Sequence, residues 1–458
     1  MERISTGVTA LDHILNGGIP QGSTVLVAGR PGSGKTILAT QMMFHNAGPE
    51  SKVIYLTTLG EPQVKVLRYQ QEFSFFDPVK VQDSVIYYDL GSPLRKGGPK
   101  QVLEIIDRLL KTHQPRLLII DTIKSLSEII GSLMETREFV LDLTLRICMW
   151  DCTTLLLGEY SEEDIEIQPE SAIADGIIYI SGNEEKKFQR RFLRILKMRG
   201  TRYVGGENIF TISDSGITLF PRINPVVNTQ QYGSTNQRIS SGLPSLDEMM
   251  GGGIPQGTTT LISGGPGTGK TIMAEYFAWE GLRQGDPVIL ITFEEHPHQL
   301  VQNAASLGMD LSPYVDSGQL FIDHVSPIEI SIDEYIHHVQ QKVIKTGARR
   351  VIVDSISSFE VGMSDKIQYT DHIWSLCDNL KTLGVSILLT HETPYGSISM
   401  ATKHGISYIA DNMVSLRYKE EEESLNLSLR IVKMRGSSHS YRPGEVSIGP
   451  EGLQITPL

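Results

Sequence analysis

Two copies of the pattern G-x-x-x-x-G-K-[ST] lie 235 residues apart in this 458-residue chain. The first is Gly29-Arg30-Pro31-Gly32-Ser33-Gly34-Lys35-Thr36 and the second Gly264-Gly265-Pro266-Gly267-Thr268-Gly269-Lys270-Thr271. Each follows a short apolar run (residues 24–28 and 259–263) and opens a helix-like stretch. Glycines let the backbone close around a polyphosphate without Cβ clashes, and inward N–H groups at a helix N-terminus supply the positive potential. In such a loop the lysine reaches the outer phosphates and the Ser/Thr hydroxyl ligates Mg²⁺. One match alone is a common Gly-rich turn. Two in matching context point to a tandem repeat of one nucleotide-binding domain, with ATP and Mg²⁺ as expected cofactors.

The repeat extends well beyond the loops. Residues 4–37 and 239–272 align without a gap and are identical at 20 of 34 positions. Further on, Val53-Ile-Tyr-Leu-Thr57 meets Val288-Ile-Leu-Ile-Thr292, and Leu117-Leu-Ile-Ile-Asp121 resembles Val351-Ile-Val-Asp354. Asp121 and Asp354 each end an apolar strand, 86 residues (121 − 35) and 84 residues (354 − 270) after a P-loop lysine. That is the place of the Mg²⁺-side acid in P-loop enzymes. Alternating strands and helices in each half predict an α/β fold, a mostly parallel sheet flanked by helices, with ligands at the carboxyl ends of the strands. The expected boundaries are 1–220 for the first domain, 221–237 for a polar, Pro/Gly-containing linker and 238–458 for the second domain.

The halves part company at the acids. The second reads Thr292-Phe-Glu294-Glu295-His-Pro297, whereas the first reads Thr57-Thr-Leu59-Gly60-Glu61-Pro62. Paired carboxylates just past the second strand can orient and deprotonate a nucleophile attacking a terminal phosphate. Glu61 sits one residue late, which turns a side chain away along an extended segment. Glu61 is therefore the weaker catalytic candidate, and the first site is expected to bind ATP and to hydrolyse it slowly, if at all. His391 and Glu392 follow another apolar strand and could sense a γ-phosphate, although an ordinary strand-end His is the commoner case.

The net charge of −12 counts against a strong constitutive nucleic-acid binder. Three cysteines (Cys148, Cys152, Cys377) make no disulfide framework. The N-terminal residues show no signal-peptide pattern and no apolar run approaches spanning length, so a cytoplasmic location without membrane contact is expected.

Near the end of each half, Lys197-Met-Arg199-Gly matches Lys433-Met-Arg435-Gly. Together with the lead-in Ser-x-Gly…Leu-Asp…Gly-Gly-Ile-Pro-Gln-Gly and the Glu294-Glu295 pair, this makes the chain resemble the KaiC family of two-domain, RecA-like ATPases, over roughly residues 2–456. The resemblance implies a homohexameric double ring with ATP between neighbouring subunits, an N-terminal ATPase ring and a C-terminal ring with autokinase and autophosphatase activity. It further implies that Lys433 and Arg435, and in the first ring Lys197 and Arg199, reach a neighbour's nucleotide. The family's phosphoacceptors are two adjacent hydroxyl residues before Ile-x-Asp. Here the segment is Gly405-Ile-Ser407-Tyr408-Ile-Ala-Asp411, which makes Ser407 the candidate acceptor and puts Tyr408 where the family has threonine. The first-half equivalents are Ser171, Ala172 and Asp175. Only 25 residues follow Lys433 (458 − 433), so control through a tail grasped by a KaiA-type partner is not expected, while a KaiB-like partner on the first ring stays open.

Three function classes follow: an ATPase and serine autokinase acting as a signalling or timing ring, a RecA- or RadA-type DNA-dependent ATPase, and a nucleotide-gated scaffold without kinase activity. The acidic balance and the lack of a basic-aromatic stretch count against the second. The missing acid pair leaves the third open for the first ring.

Overall fold

The computed structural model describes residues 2–58, 63–185, 188–221, 237–326, 332–361, 366–393, 406–421 and 424–458. Segment 222–236 of the expected linker and Leu59, Gly60 and Glu61 lie outside them. The chain divides into two compact units, Met1–Arg222 and Ile223–Leu458.

In the first unit we number the sheet strands β1 (Thr24–Gly29), β2 (Val53–Thr57), β3 (Val85–Asp89), β4 (Leu117–Asp121), β5 (Thr153–Gly158), β6 (Gly176–Glu185), β7 (Phe188–Met198), β8 (Asn208–Ser213) and β9 (Gly216–Phe220). Their spatial order is β9-β8-β7-β6-β1-β5-β4-β2-β3. The run from β6 to β3 is parallel, and β7, β8 and β9 extend it antiparallel. In the second unit β10 (Thr259–Gly264), β11 (Val288–Thr292), β12 (Leu320–His324), β13 (Arg350–Asp354), β14 (Ser386–Glu392), β15 (Asn412–Glu421), β16 (Ser424–Met434), β17 (Gly444–Gly449) and β18 (Gly452–Pro457) repeat the same order with every number raised by nine.

The parallel strands are buried on both faces, which is why they read as unbroken apolar runs. Successive side chains point to opposite faces. Val25 and Val27 of β1 therefore join one core cluster, while Leu26 and Ala28 join the other. In β10, Ile262 and Leu261 divide the same way.

The Gly-rich lead-ins to the loops are structural. Arg3 Nη1 donates to the carbonyls of Leu15 (2.9 Å) and Gly18 (2.8 Å), and Arg238 Nη1 does the same to Met250 (2.9 Å) and Gly253 (2.7 Å). Asp12 accepts from the Ser5 hydroxyl and the Thr6 amide, as Asp247 accepts from those of Ser240 and Ser241. The shared Leu-Asp and Gly-Gly of the two halves hold this turn. Among the described residues, no helix is long and apolar enough to cross a membrane.

Candidate active sites

Each P-loop leaves the carboxyl end of a central strand, β1 or β10, and enters a helix, Lys35–Asn46 or Lys270–Arg283. Gly34 (φ +109°) and Gly269 (φ +85°) cap those helices in the left-handed region, where a side chain is strained. At Gly29 a Cβ would come within 2.2 Å of the Ile180 carbonyl oxygen, so the strand-to-loop exit also requires glycine. Lys35 Nζ donates to the carbonyls of Gly29 (2.9 Å) and Arg30 (3.0 Å), and Lys270 Nζ to that of Gly265 (2.8 Å). Burial pushes both ammonium groups below their ordinary pKa. Glu159 and Asp121 oppose this at Lys35, and Glu392, Asp354 and Glu294 at Lys270.

The threonine and the strand-end aspartate meet in both halves. Thr36 Oγ1 donates to Asp121 Oδ2 at 3.2 Å, and Thr271 Oγ1 to Asp354 Oδ2 at 2.8 Å. A hydroxyl and a carboxylate, both hard oxygen donors, fit Mg²⁺, which takes one or two protein ligands and fills its shell with phosphate oxygens and water. Three-residue His/Cys/Asp/Glu clusters suited to a metal do not occur among the described residues. A second hydroxyl steadies each aspartate, but from a different strand. Tyr55 of β2 donates to Asp121 Oδ2 at 2.6 Å, whereas Thr390 of β14 donates to Asp354 Oδ1. The peptide bond after each aspartate is cis.

Glu294 and Glu295 stand just past β11, whose last residue Thr292 is in register with Asp354. Glu294 is exposed, accepts a long 3.5 Å contact from the Ser358 hydroxyl, and its charge reaches Lys270. Glu295 is half-buried and tied by backbone. Its N–H donates to Thr292 Oγ1 (3.2 Å), which donates back to its carbonyl (3.1 Å), while Asn303 Nδ2 donates to Oε2 at 3.3 Å. The pair thus borders the P-loop lysine and the metal-side aspartate.

Ser407, Lys433 and Arg435 gather elsewhere. Lys433 Nζ donates to the carbonyls of Ser407 (2.9 Å) and Ala410 (2.6 Å), closing the C-terminal end of the short helix Ile406–Ile409. Arg435 pairs with Asp411 at 3.2 Å, and the other Asp411 oxygen accepts from the Thr259 amide at 3.0 Å. Lys197 to the Ser171 carbonyl (3.2 Å), Arg199 to Asp175 (3.5 Å) and the Thr24 amide to Asp175 (3.1 Å) repeat the arrangement. Thr24 and Thr259 begin the strands whose far ends carry the P-loops. At roughly 3.3 Å per residue, five steps put each Lys-Met-Arg-Gly about 16 Å from its own nucleotide loop.

A sequence profile of the family described as the KaiC ATPase matches residues 4–224 and again 239–458. The chain belongs to the KaiC family of ATPases. Its relatives include the circadian clock oscillator protein KaiC of Acaryochloris marina, 29% identical over 465 residues (99% of this chain, 88% of that one). Those of Parathermosynechococcus lividus (29% over 462 residues, 98% and 84%) and Rippkaea orientalis (28% over 467, 99% and 89%) are similar in extent. The match covers both halves, so the KaiC-family plan of two RecA-like α/β domains in tandem holds for the whole chain.

Two acids escaped the sequence reading. Glu275, one turn into the second P-loop helix, is 2% exposed, and its Oε1 has no hydrogen-bond partner among the described residues. Burial pushes its pKa from 4.5 up to about 8, with the charges of Glu295 and Asp354 adding to the rise. Its first-half counterpart is Thr40 (275 − 235), so the repeat carried no hint of it. Glu159 and Glu392 occupy one position in the two sheets: Gly264 is in register with Glu392, and Ala28 with Gly158, one residue before Glu159. The signal was present, a glutamate at the carboxyl end of the same strand in both halves, but the alignment shifts by two residues there, which hides Glu159 as the counterpart of Glu392.

Proposed function

We propose that this KaiC-family ATPase is a serine autokinase working as a homohexameric ring, in which ATP held at Lys270 and Thr271 of one chain phosphorylates Ser407 of a neighbour. The observation that carries the reading is the separation just described. Ser407, Lys433 and Arg435 share one end of the second sheet and the P-loop with Glu294 and Glu295 occupies the other, so a reaction joining them needs two chains. Glu294 or Glu295 takes the serine proton. Thr271 and Asp354 would hold Mg²⁺, which would supply charge neutralisation on the phosphates. Lys433 and Arg435 add positive charge across the subunit boundary, which ties chemistry to assembly. A KaiB-like partner would read the ring's state from the N-terminal side.

A mixing experiment tests it. Chains carrying Lys270→Ala keep the acceptor and lose the loop lysine, and chains carrying Ser407→Ala do the reverse. Incubated with Mg-ATP, neither alone should gain phosphate on the peptide containing residue 407, and the mixture should, on the Lys270→Ala chain only. An unphosphorylated mixture beside a phosphorylated wild-type chain would show transfer within one chain. A wild-type chain that consumes ATP without gaining phosphate would leave an ATPase alone.

A further inference from the structure

A cavity of about 280 Å³ opens beside the first P-loop. Thr36 and Asp121, the metal-side pair, line one part, and Tyr55, Tyr69 and Gln70 another. Asp121 and Glu159 are its only carboxylates among the described residues. Asp121 is committed to the Thr36 and Tyr55 hydroxyls. Glu159 is not. Its backbone carbonyl is fixed by Lys124 Nζ at 2.8 Å, while its carboxylate has no hydrogen-bond or ion-pair partner among the described residues and remains exposed to the cavity. The residue before it, Gly158, is in register with Ala28, the residue before the loop begins. Of the charges acting on the loop lysine, Glu159 is the largest. A fixed backbone, a free carboxylate and a chamber with room for water and phosphate at the loop are what a water-activating acid requires.

We propose that Glu159 is the catalytic base of the N-terminal site, the role that Leu59 and Gly60 cannot fill. This rests on the reading that the first loop binds ATP. A water molecule in the chamber is held by the Glu159 carboxylate. Its oxygen forms a bond to the terminal phosphorus, the bond to the bridging oxygen breaks, ADP leaves with that electron pair, and Glu159 accepts the water proton and returns it to solvent. The N-terminal half then hydrolyses ATP without the paired acids, and the slow turnover expected from their absence need not hold.

The test uses the full chain in a Lys270→Ala background, which silences the second loop and leaves turnover from the first. Glu159→Gln should lower that turnover by about 10²-fold or more, the ordinary contribution of a general base, while ATP affinity, read with a fluorescent nucleotide, stays within about twofold. Glu159→Asp should restore part of the rate. Turnover unchanged by Glu159→Gln overturns the assignment, as does a parallel loss of ATP affinity, which would mark a structural role. A Lys270→Ala chain that binds ATP but shows no turnover also overturns it while sparing the nucleotide-binding reading. Failure to bind ATP at all would sink that reading instead.

Discussion

The N-terminal and C-terminal halves hold the same aspartate by different means. Asp121 is steadied by a tyrosine from the neighbouring strand β2, Asp354 by a threonine from β14 on the other side. The residue in place of Tyr55 in the second half is Leu290 (55 + 235), and the one in place of Thr390 in the first is Leu157 (390 − 233). Strand order, loop geometry, lead-in turn and Lys-Met-Arg-Gly anchoring agree between halves almost bond for bond. What differs is the ring of groups around the phosphate end: an acid pair and a buried glutamate in one, a tyrosine and an open chamber in the other. The backbone plan is thus fixed by packing and hydrogen bonds that tolerate little change, while a few side chains facing the loop set what each site does.

The largest expected difference lies at the acid pair. Replacing Glu294 and Glu295 together by Gln should cut phosphate incorporation at Ser407 by about 10²–10⁴-fold, the range for removing general-base catalysis. In a Lys270→Ala background the same pair of changes should leave N-terminal ATP turnover intact. Peptide mapping and phosphate release measure the two effects separately. Loss of both would mean that the halves do not work as separate sites.

A smaller effect, on stability, should appear only in the second half. Glu275 has a folded-state pKa of about 8 against an ordinary 4.5. Between those values the folded chain holds a proton there that the unfolded chain has released, so this group's contribution to stability falls as pH rises from 4.5 to 8 and is flat on either side. The slope is on the order of 1 kcal/mol per pH unit. Glu275→Gln removes the titration. Denaturant unfolding followed through the second unit should lose that decline, while the first unit, with Thr40 at this place, should not change. An unaltered pH slope in the variant would show that Glu275 is ionised in the folded protein.

These cases also mark how far the sequence could be read. The P-loops, both aspartates and the doubled sheet were legible because each imposes a local pattern, glycines where a Cβ would clash and apolar runs where a strand is covered on both faces. The Lys-Met-Arg-Gly repeat was visible as letters, yet only the fold reveals that it lies at the amino ends of β1 and β10, away from its own loop. Tyr55 was invisible in its role. In β2 it is one more buried apolar-strand residue, and its hydroxyl acquires meaning only because β2 pairs with β4 and sets it against Asp121. Glu275 was hidden for the opposite reason. Helix periodicity says where a residue points, but not that the space it points into lacks a partner.

The smallest expected effect is also the finest probe of the comparison. Tyr55→Phe and Thr390→Val each remove one hydrogen bond to a metal-side aspartate with little change in volume. A hydrogen bond to a charged group is worth about 1.5–3 kcal/mol. Part of that is recovered when the freed carboxylate oxygen finds water in the open first site. Tyr55→Phe should therefore raise the Mg²⁺ concentration needed for half-maximal turnover at the first site by several-fold. Thr390→Val should do the same at the second, where Asp354 is half-buried as Asp121 is. Each change should be silent in the other half, since each hydroxyl touches one aspartate. Magnesium titrations of nucleotide affinity in the Lys35→Ala and Lys270→Ala backgrounds separate the sites. If either change shifts both, the aspartates are coupled through something other than their own buttresses. If neither shifts its own, the hydroxyls serve only to fill the sheet, and the two halves differ in their acids alone.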